Sequence, residues 1–215
     1  MTAASLGQIV ALVPVRSLGG AKTRLGEPLD AEERTELVRA MLRRTVQEAR
    51  AAAGLDTVMV VSLDRDLLEE ARALGASSYL QEQDGLNQGL EEARRAIDIG
   101  AAALLVLPVD LPGVSASALD TLVSAAEEAR RGAPDRPAVV LVPDRHGTGT
   151  NALLLVPPGA IPFRFGEGSR AAHATAARAA GASYVELDGP LDFDVDTPAD
   201  LLEADMRGLD HEGGR

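Results

Sequence analysis

Residues 57–80 read TVMVVSLDRDLLEEARALGASSYL. Thr57 to Ser62 is an apolar run rich in β-branched side chains, the composition of a buried strand. Asp66 to Leu74 then reads as a helix, Gly75 offers its stop, and Ala76 to Leu80 returns to a short strand. A strand, a helix and a second strand in immediate succession are the repeating unit of an α/β fold, because parallel strands need such a crossover.

The same alternation extends in both directions. Upstream, Gln8 to Pro14 (QIVALVP) is a strand bounded by its proline, and the stretch from there to Pro28 is Gly-rich and basic, hence a loop. The next helix starts near Asp30, with Glu33 placed for a capping box and Leu37, Met41, Leu42 and Val46 at helical spacing as far as Gly54. Downstream, the pattern predicts helices over Leu86 to Ile99, Ser115 to Arg131 and Arg170 to Ala180. Strands are expected over Ala103 to Pro108, Val139 to Val142, Ala152 to Val156, Ser183 to Leu187 and Phe193 to Val195. A last helix carries Thr197 as cap and Pro198 at its first position. The resulting expectation is an α/β protein with a parallel or mostly parallel sheet. No internal repeat, linker or low-complexity block divides it, so residues 1–207 form one domain and 208–215 a frayed tail.

Composition narrows the function. The 215 residues carry 33 acidic and 21 basic side chains, a formal net charge of −12, which argues against a surface built to grip nucleic acid or anionic lipid. Without any Cys, disulfides, thiolate metal sites and cysteine nucleophiles are excluded. No apolar run approaches the roughly 20 residues of a membrane span, and the first residues lack signal-peptide features; an unprocessed cytoplasmic protein is the expectation. With no Trp, 2 Tyr and 3 Phe, a nucleobase would be recognised through backbone hydrogen bonds and aliphatic contacts more than by ring stacking.

Four polar constellations follow directly on apolar strands, where α/β folds open their ligand crevices. The segment Val15 to Leu25 (VRSLGGAKTRL) offers Gly19 and Gly20 for backbone amides and Lys22 and Arg24 for charge, suiting either a polyphosphate or a plain solvated loop; no Walker or GxGxxG pattern occurs. In LPVDLP, Asp110 ends an apolar run and is held between two prolines, either as a ligand for a hard cation or as a helix-cap or loop carboxylate. In DFDVDTP, strand alternation sends Asp192, Asp194 and Asp196 to one face, where a cation would offset their repulsion. Asp196 is alternatively only the residue before the helix cap. The fourth pairs DRHGTGTN (144–151) with RFGEGSR (164–170), Gly-rich turns with hydroxyls at a helix start that suit a small phosphate or carboxylate. His146 has no second His at ligand spacing, which disfavours a metal there.

Taken in order, VPVRSLGGAKTRL, DGLNQGLEEA, LPVDLPGV, DRHGTGTNALLL, RFGEGSRAAH and DFDVDTPADL closely resemble the guanylyltransferases that make the deazaflavin coenzyme precursor, over about Val10 to Leu202. Those enzymes use phosphoenolpyruvate in bacteria and 2-phospho-L-lactate in archaea. The resemblance implies a three-layer, Rossmann-like nucleotidyltransferase fold with a mostly parallel, mixed sheet. It implies that Gly19, Gly20, Lys22 and Arg24 meet the triphosphate of GTP, with Asn87 bordering the nucleoside. By the same resemblance Asp110, Asp194 and Asp196 hold Mg²⁺, and Thr148 or Thr150, Gly166 and Ser169 hold the phosphorylated acid. Lys22, Arg24 and Asp110 are the catalytic residues so implied, and phosphoenolpyruvate the acceptor.

A phosphate monoester has its second pKa near ~6, so the acceptor is already an anionic nucleophile at neutral pH and needs no catalytic base. Charge neutralisation and in-line positioning are then the expected mechanism. The expected partners are GTP, phosphoenolpyruvate and, transiently, the transferase that consumes the product, without nucleic acid or membrane. Three alternatives stand beside this reading: transfer to 2-phospho-L-lactate or a phosphoglycerate, a sugar-nucleotide-using transferase that releases a nucleoside diphosphate, and a non-catalytic nucleotide-sensing module.

Overall fold

A computed structural model describes residues 6–15, 30–97, 100–195 and 198–206. The expected strand, helix and strand of residues 57–80 are β2 (Thr57–Ser62), α2 (Arg65–Ala73) and β3 (Ser77–Leu80), with β3 parallel to β2. Before them come β1 (Ile9–Pro14) and α1 (Ala31–Ala51). After them follow α3 (Leu86–Ala96), β4 (Ala103–Val106), α4 (Ala116–Gly132), β5 (Ala138–Pro143), β6 (Thr150–Val156), α5 (Ser169–Ala179), β7 (Ser183–Glu186) and α6 (Pro198–Met206).

The seven strands form one sheet in the order β3-β2-β1-β4-β6-β5-β7. Only β6 runs against its neighbours β4 and β5; every other pairing is parallel. Alternation along the strands divides the core. Ile9, Ala11 and Val13 of β1 face one side, with Leu42 and Val46 of α1, Leu67 of α2 and Leu122 of α4. Val10 and Leu12 face the other, with Leu90 and Ala93 of α3 and Ala177 of α5. Helices thus cover both faces, the three-layer arrangement that a central sheet of fully apolar strands demands.

The helix starts follow the local chemistry. Asp30 accepts from the amides of Glu32 and Glu33 at 2.8 and 2.9 Å, while the Glu33 carboxylate accepts from the Asp30 amide at 2.8 Å, a complete capping box. Ser115 caps α4 through the Ala118 amide at 3.2 Å. α6 opens on Pro198, where a missing N–H costs nothing; its expected cap, Thr197, lies outside the described residues. Among the described residues, no helix is long and apolar enough to cross a membrane.

Several element ends shift by one to three residues, as where β4 stops at Val106 rather than Pro108 and β6 starts at Thr150 rather than Ala152. α3 ends at Ala96 rather than at Ile99, and residues 98–99 are outside the described set. More consequentially, Phe193 to Val195 is not a strand. A 3-10 turn at Pro190–Asp192 precedes it, and the Val195 amide donates to the carbonyl of Asp110 at 2.9 Å instead of joining a ladder. The alternation itself survives: Phe193 and Val195 are buried, whereas Asp192 and Asp194 are partly exposed. Two apolar side chains anchoring a single extended crossing suffice for that pattern without a paired neighbour.

Candidate functional site

The direction of β6 decides which loops meet. β1, β4 and β5 are mutually parallel, so their C-terminal ends share one rim of the sheet, and antiparallel β6 begins at that same rim. Leu153 pairs with Val106, which brings the start of β6, Thr150 and Asn151, alongside the LPVDLPG loop that leaves β4. β1 ends at this rim too, at Pro14. Gly19, Gly20, Lys22 and Arg24, which follow β1 in the sequence, lie outside the described residues, as does Asp196.

Asp110 and Asp194, far apart in sequence, are brought together by the Val195 amide on the Asp110 carbonyl. Two further contacts fix the crossing segment. The Asn151 side chain, buried at the start of β6, donates to the carbonyl of Leu191 at 3.0 Å. Gly113 lies so close to Pro190 that a methyl group added there would stand 1.8 Å from the Pro190 carbonyl oxygen. At the other end Arg145 pairs with the buried Asp200 and, at 3.3 Å, with Glu203 of α6, while its guanidinium lies 4.8 Å above the Phe193 ring. The hydrogen bond to Asp200 raises the Arg145 pKa despite opposing desolvation, and the negative charge of Asp194 adds to the rise.

No three His, Cys, Asp or Glu side chains cluster as a metal site among the described residues. Mg²⁺ dehydrates reluctantly and is commonly held by one or two carboxylates together with substrate phosphates. Asp110 and Asp194 are hard oxygen donors on two segments that a backbone bond joins, a donor set that fits that requirement.

The turn between β5 and β6 is built around Asp144. Its carboxylate accepts from the Thr148 amide at 2.7 Å, and the Gly147 amide, at φ +69°, donates to its carbonyl at 2.9 Å. Burial opposes ionisation, but the amides of Gly149 and Thr148 prevail and hold the Asp144 pKa below its ordinary value. This turn is stitched to α5: the Arg170 amide donates to the Thr148 carbonyl at 3.2 Å, and the Arg170 guanidinium reaches the Gly147 carbonyl at 3.0 Å and Glu186 at 2.6 Å. The turn carrying Thr148 and Thr150 is thus tied to Gly166 and Ser169 through the start of α5. Gly166 (φ +124°) and Gly168 (φ +69°) occupy backbone conformations that L side chains rarely adopt, and they deliver buried Ser169 to the start of α5.

Segment 163–169 is held from two sides. Asn87 clamps Phe165: its amide donates to the Phe165 carbonyl and its oxygen accepts from the Phe165 amide, both at 2.9 Å. Asn87 thus engages protein backbone with both polar atoms and borders a polar cleft of about 240 Å³ that it lines with Gln83, Gln88 and Glu91. From the other side, His173 of α5 accepts from the Arg164 amide through Nε2 at 2.9 Å and meets Thr150 Oγ1 through Nδ1 at 3.0 Å. The Phe165 ring packs edge-on against it at 5.0 Å. Burial, helped by the charge of Arg164, pushes the His173 pKa down to about 4.

His173, Asn151, Gly113 and Arg145 do not emerge from the motifs as site residues. The available signals are a lone His in the Ala-rich run AAHATAAR and an Asn opening an otherwise apolar strand.

A family model described as "Guanylyl transferase CofC like" matches residues 9–214. The chain is 46% identical over 202 residues to a phosphoenolpyruvate guanylyltransferase of Rubrobacter xylanophilus, covering 93% of this chain and 95% of the relative. It is 44% identical to one from Sphaerobacter thermophilus, covering 90% and 91% respectively. Among solved structures, a Methanothermobacter nucleotidyl transferase superposes with a TM-score of 0.64 at 17% identity, covering 94% of this chain and 98% of that one, a likeness of fold.

Proposed function

The chain belongs to the CofC-like guanylyl transferase family, and on that premise we propose that it transfers GMP from GTP to the phosphate of phosphoenolpyruvate with release of pyrophosphate. The observation that supports this reading is that the segments carrying Asp110 and Asp194 are joined by a backbone bond at the rim where β6 starts, next to the Thr148–Thr150 turn and the linked Gly166–Ser169 turn. The names of its relatives supply the acceptor.

In the reaction an unprotonated phosphate oxygen of the acid forms a bond to the α-phosphorus of GTP. The bond from that phosphorus to the bridging oxygen breaks, and pyrophosphate leaves with the electron pair. The nucleophile is anionic at neutral pH, so no side chain has to remove a proton. What opposes reaction is repulsion between the dianion and the triphosphate. Lys22 and Arg24, in the sequence between β1 and α1, are the residues we assign to the triphosphate. Thr148, Thr150, Gly166 and Ser169 we assign to the acid, whose oxygens hydroxyls and amides can bind without full neutralisation. Asp110 and Asp194, with Asp196, would hold Mg²⁺, whose bound charge would stabilise both the transferred phosphoryl group and the departing pyrophosphate. Asn87 we assign to the border of the nucleoside, while its two bonds to Phe165 steady the segment assigned to the acid. A role in deazaflavin coenzyme biosynthesis, with transient contact to the transferase that takes up the product, belongs to the same proposal.

The test measures pyrophosphate release from GTP and Mg²⁺ with phosphoenolpyruvate, 2-phospho-L-lactate or a phosphoglycerate as acceptor, coupled to the consuming transferase so that an unstable product is drawn off. Release that is fastest with phosphoenolpyruvate and needs GTP is the expected result. Preference for another acid would reassign the acceptor, and equal use of ATP would overturn the guanylyl assignment.

A further inference from the structure

His173 is fully buried between the two segments assigned to the acid, and its contacts determine where its hydrogen sits. The atom facing Nε2 is the backbone nitrogen of Arg164, 2.9 Å away, and an amide N–H can only donate. Nε2 is therefore bare. A neutral imidazole has a single N–H, so the hydrogen resides on Nδ1, which faces Thr150 Oγ1 at 3.0 Å. Burial keeps the ring neutral. The ring cannot turn to exchange the two nitrogens without losing the Arg164 bond and its edge contact with Phe165, and Phe165 is itself pinned by Asn87.

From this geometry we infer that His173 is a positioning residue that makes Thr150 Oγ1 an acceptor towards the protein and so commits the Thr150 hydroxyl proton to the ligand side. The inference rests on the reading of Thr150 as a contact of the acid. A hydroxyl that already accepts a hydrogen bond is polarised into a better donor. The group it selects is an oxygen without a hydrogen, such as a carboxylate or an ionised phosphate, in preference to a neutral hydroxyl that needs an acceptor. The same ring links β6 to segment 163–169, so the Thr150 hydroxyl and the Gly166 to Ser169 turn are set relative to each other by one side chain.

Two measurements on the intact enzyme test this. Nitrogen-15 NMR of the histidine rings at neutral pH should find His173 neutral, protonated on Nδ1 and bare on Nε2; the opposite tautomer or a cationic ring would overturn the inference. Steady-state kinetics should find the KM for phosphoenolpyruvate raised about tenfold in Thr150→Val and in His173→Leu, the effect of one hydrogen bond, with the KM for GTP unchanged. Thr150→Ser, which keeps the hydroxyl, should recover most of the loss seen in Thr150→Val, and the combined Thr150→Val, His173→Leu enzyme should be no worse than the poorer single variant, because both act through the same Thr150 hydroxyl. Additive losses, or equal losses for GTP and the acid, would overturn the inference. If His173→Leu does not fold, the Thr150 pair and the tautomer decide it. Absence of GTP-dependent pyrophosphate release by the wild type would instead fell the functional reading, and the tautomer would still judge the polarity assigned to Thr150.

Discussion

The backbone amide of Val195 donates to the backbone carbonyl of Asp110 at 2.9 Å, and this one bond joins the loop after β4 to the segment before α6. Because it is a backbone bond, the carboxylates of Asp110 and Asp194 on the two joined segments can be altered without removing it. Asp110→Asn and Asp194→Asn should each lower turnover by about 100-fold or more while the thermal transition stays close to wild type. Asp192→Asn should be milder. Wild-type rates in Asp110→Asn at ordinary Mg²⁺ would remove Asp110 from the mechanism.

Gly113→Ala tests the support of that segment. The new methyl would meet the Pro190 carbonyl oxygen at 1.8 Å, and backbone on both sides has to move to relieve it. A loss of about 2 kcal/mol in urea unfolding is expected, with a fall in activity. An unchanged midpoint would mean that the 190–195 segment adjusts freely.

Asn87→Ala separates a clamp from a nucleoside contact. Removal of both bonds to Phe165 should loosen segment 163–169 and raise the KM for phosphoenolpyruvate more than that for GTP. The reverse ranking would assign the Asn87 side chain directly to the nucleotide.

Lys22→Ala and Arg24→Ala should show the opposite bias, weakening GTP by about tenfold or more and the acid less, since the triphosphate carries most of the charge these side chains would meet. Equal losses would put the loop between the two ligands.

His173 also makes stability depend on pH. Its pKa is depressed from 6.5 to about 4 in the folded chain, so between these values the unfolded chain binds the extra proton. Stability from this residue is full above pH 6.5 and is lost progressively as pH falls from there towards 4. Relative to pH 7, wild type at pH 5 should be destabilised by on the order of 2 kcal/mol, and His173→Leu should lack that part of the slope. Parallel pH profiles for the two proteins would show the imidazole to be solvated.

The order of strands and helices, and the capping box of α1, were legible along the chain because both rest on neighbours a few residues apart: apolar periodicity for the first, Asp30 and Glu33 for the second. The polar motifs were legible as well, since glycines, hydroxyls and carboxylates gathered after apolar strands stand out by type. Which of them meet was not. That depends on β6 running against β4, which carries Thr150 and Asn151 to the rim where Asp110 emerges, and on a segment that looked like a strand being bonded to Asp110 instead of to the sheet. His173 stayed hidden for the same reason. A lone His in an Ala-rich helix has no local partner, and its role arises only when packing of α5 against the sheet presents it to Thr150 and to the Arg164 amide at once. Local periodicity encodes elements and their types, whereas contacts between distant segments follow from how those elements stack and from which strand reverses direction.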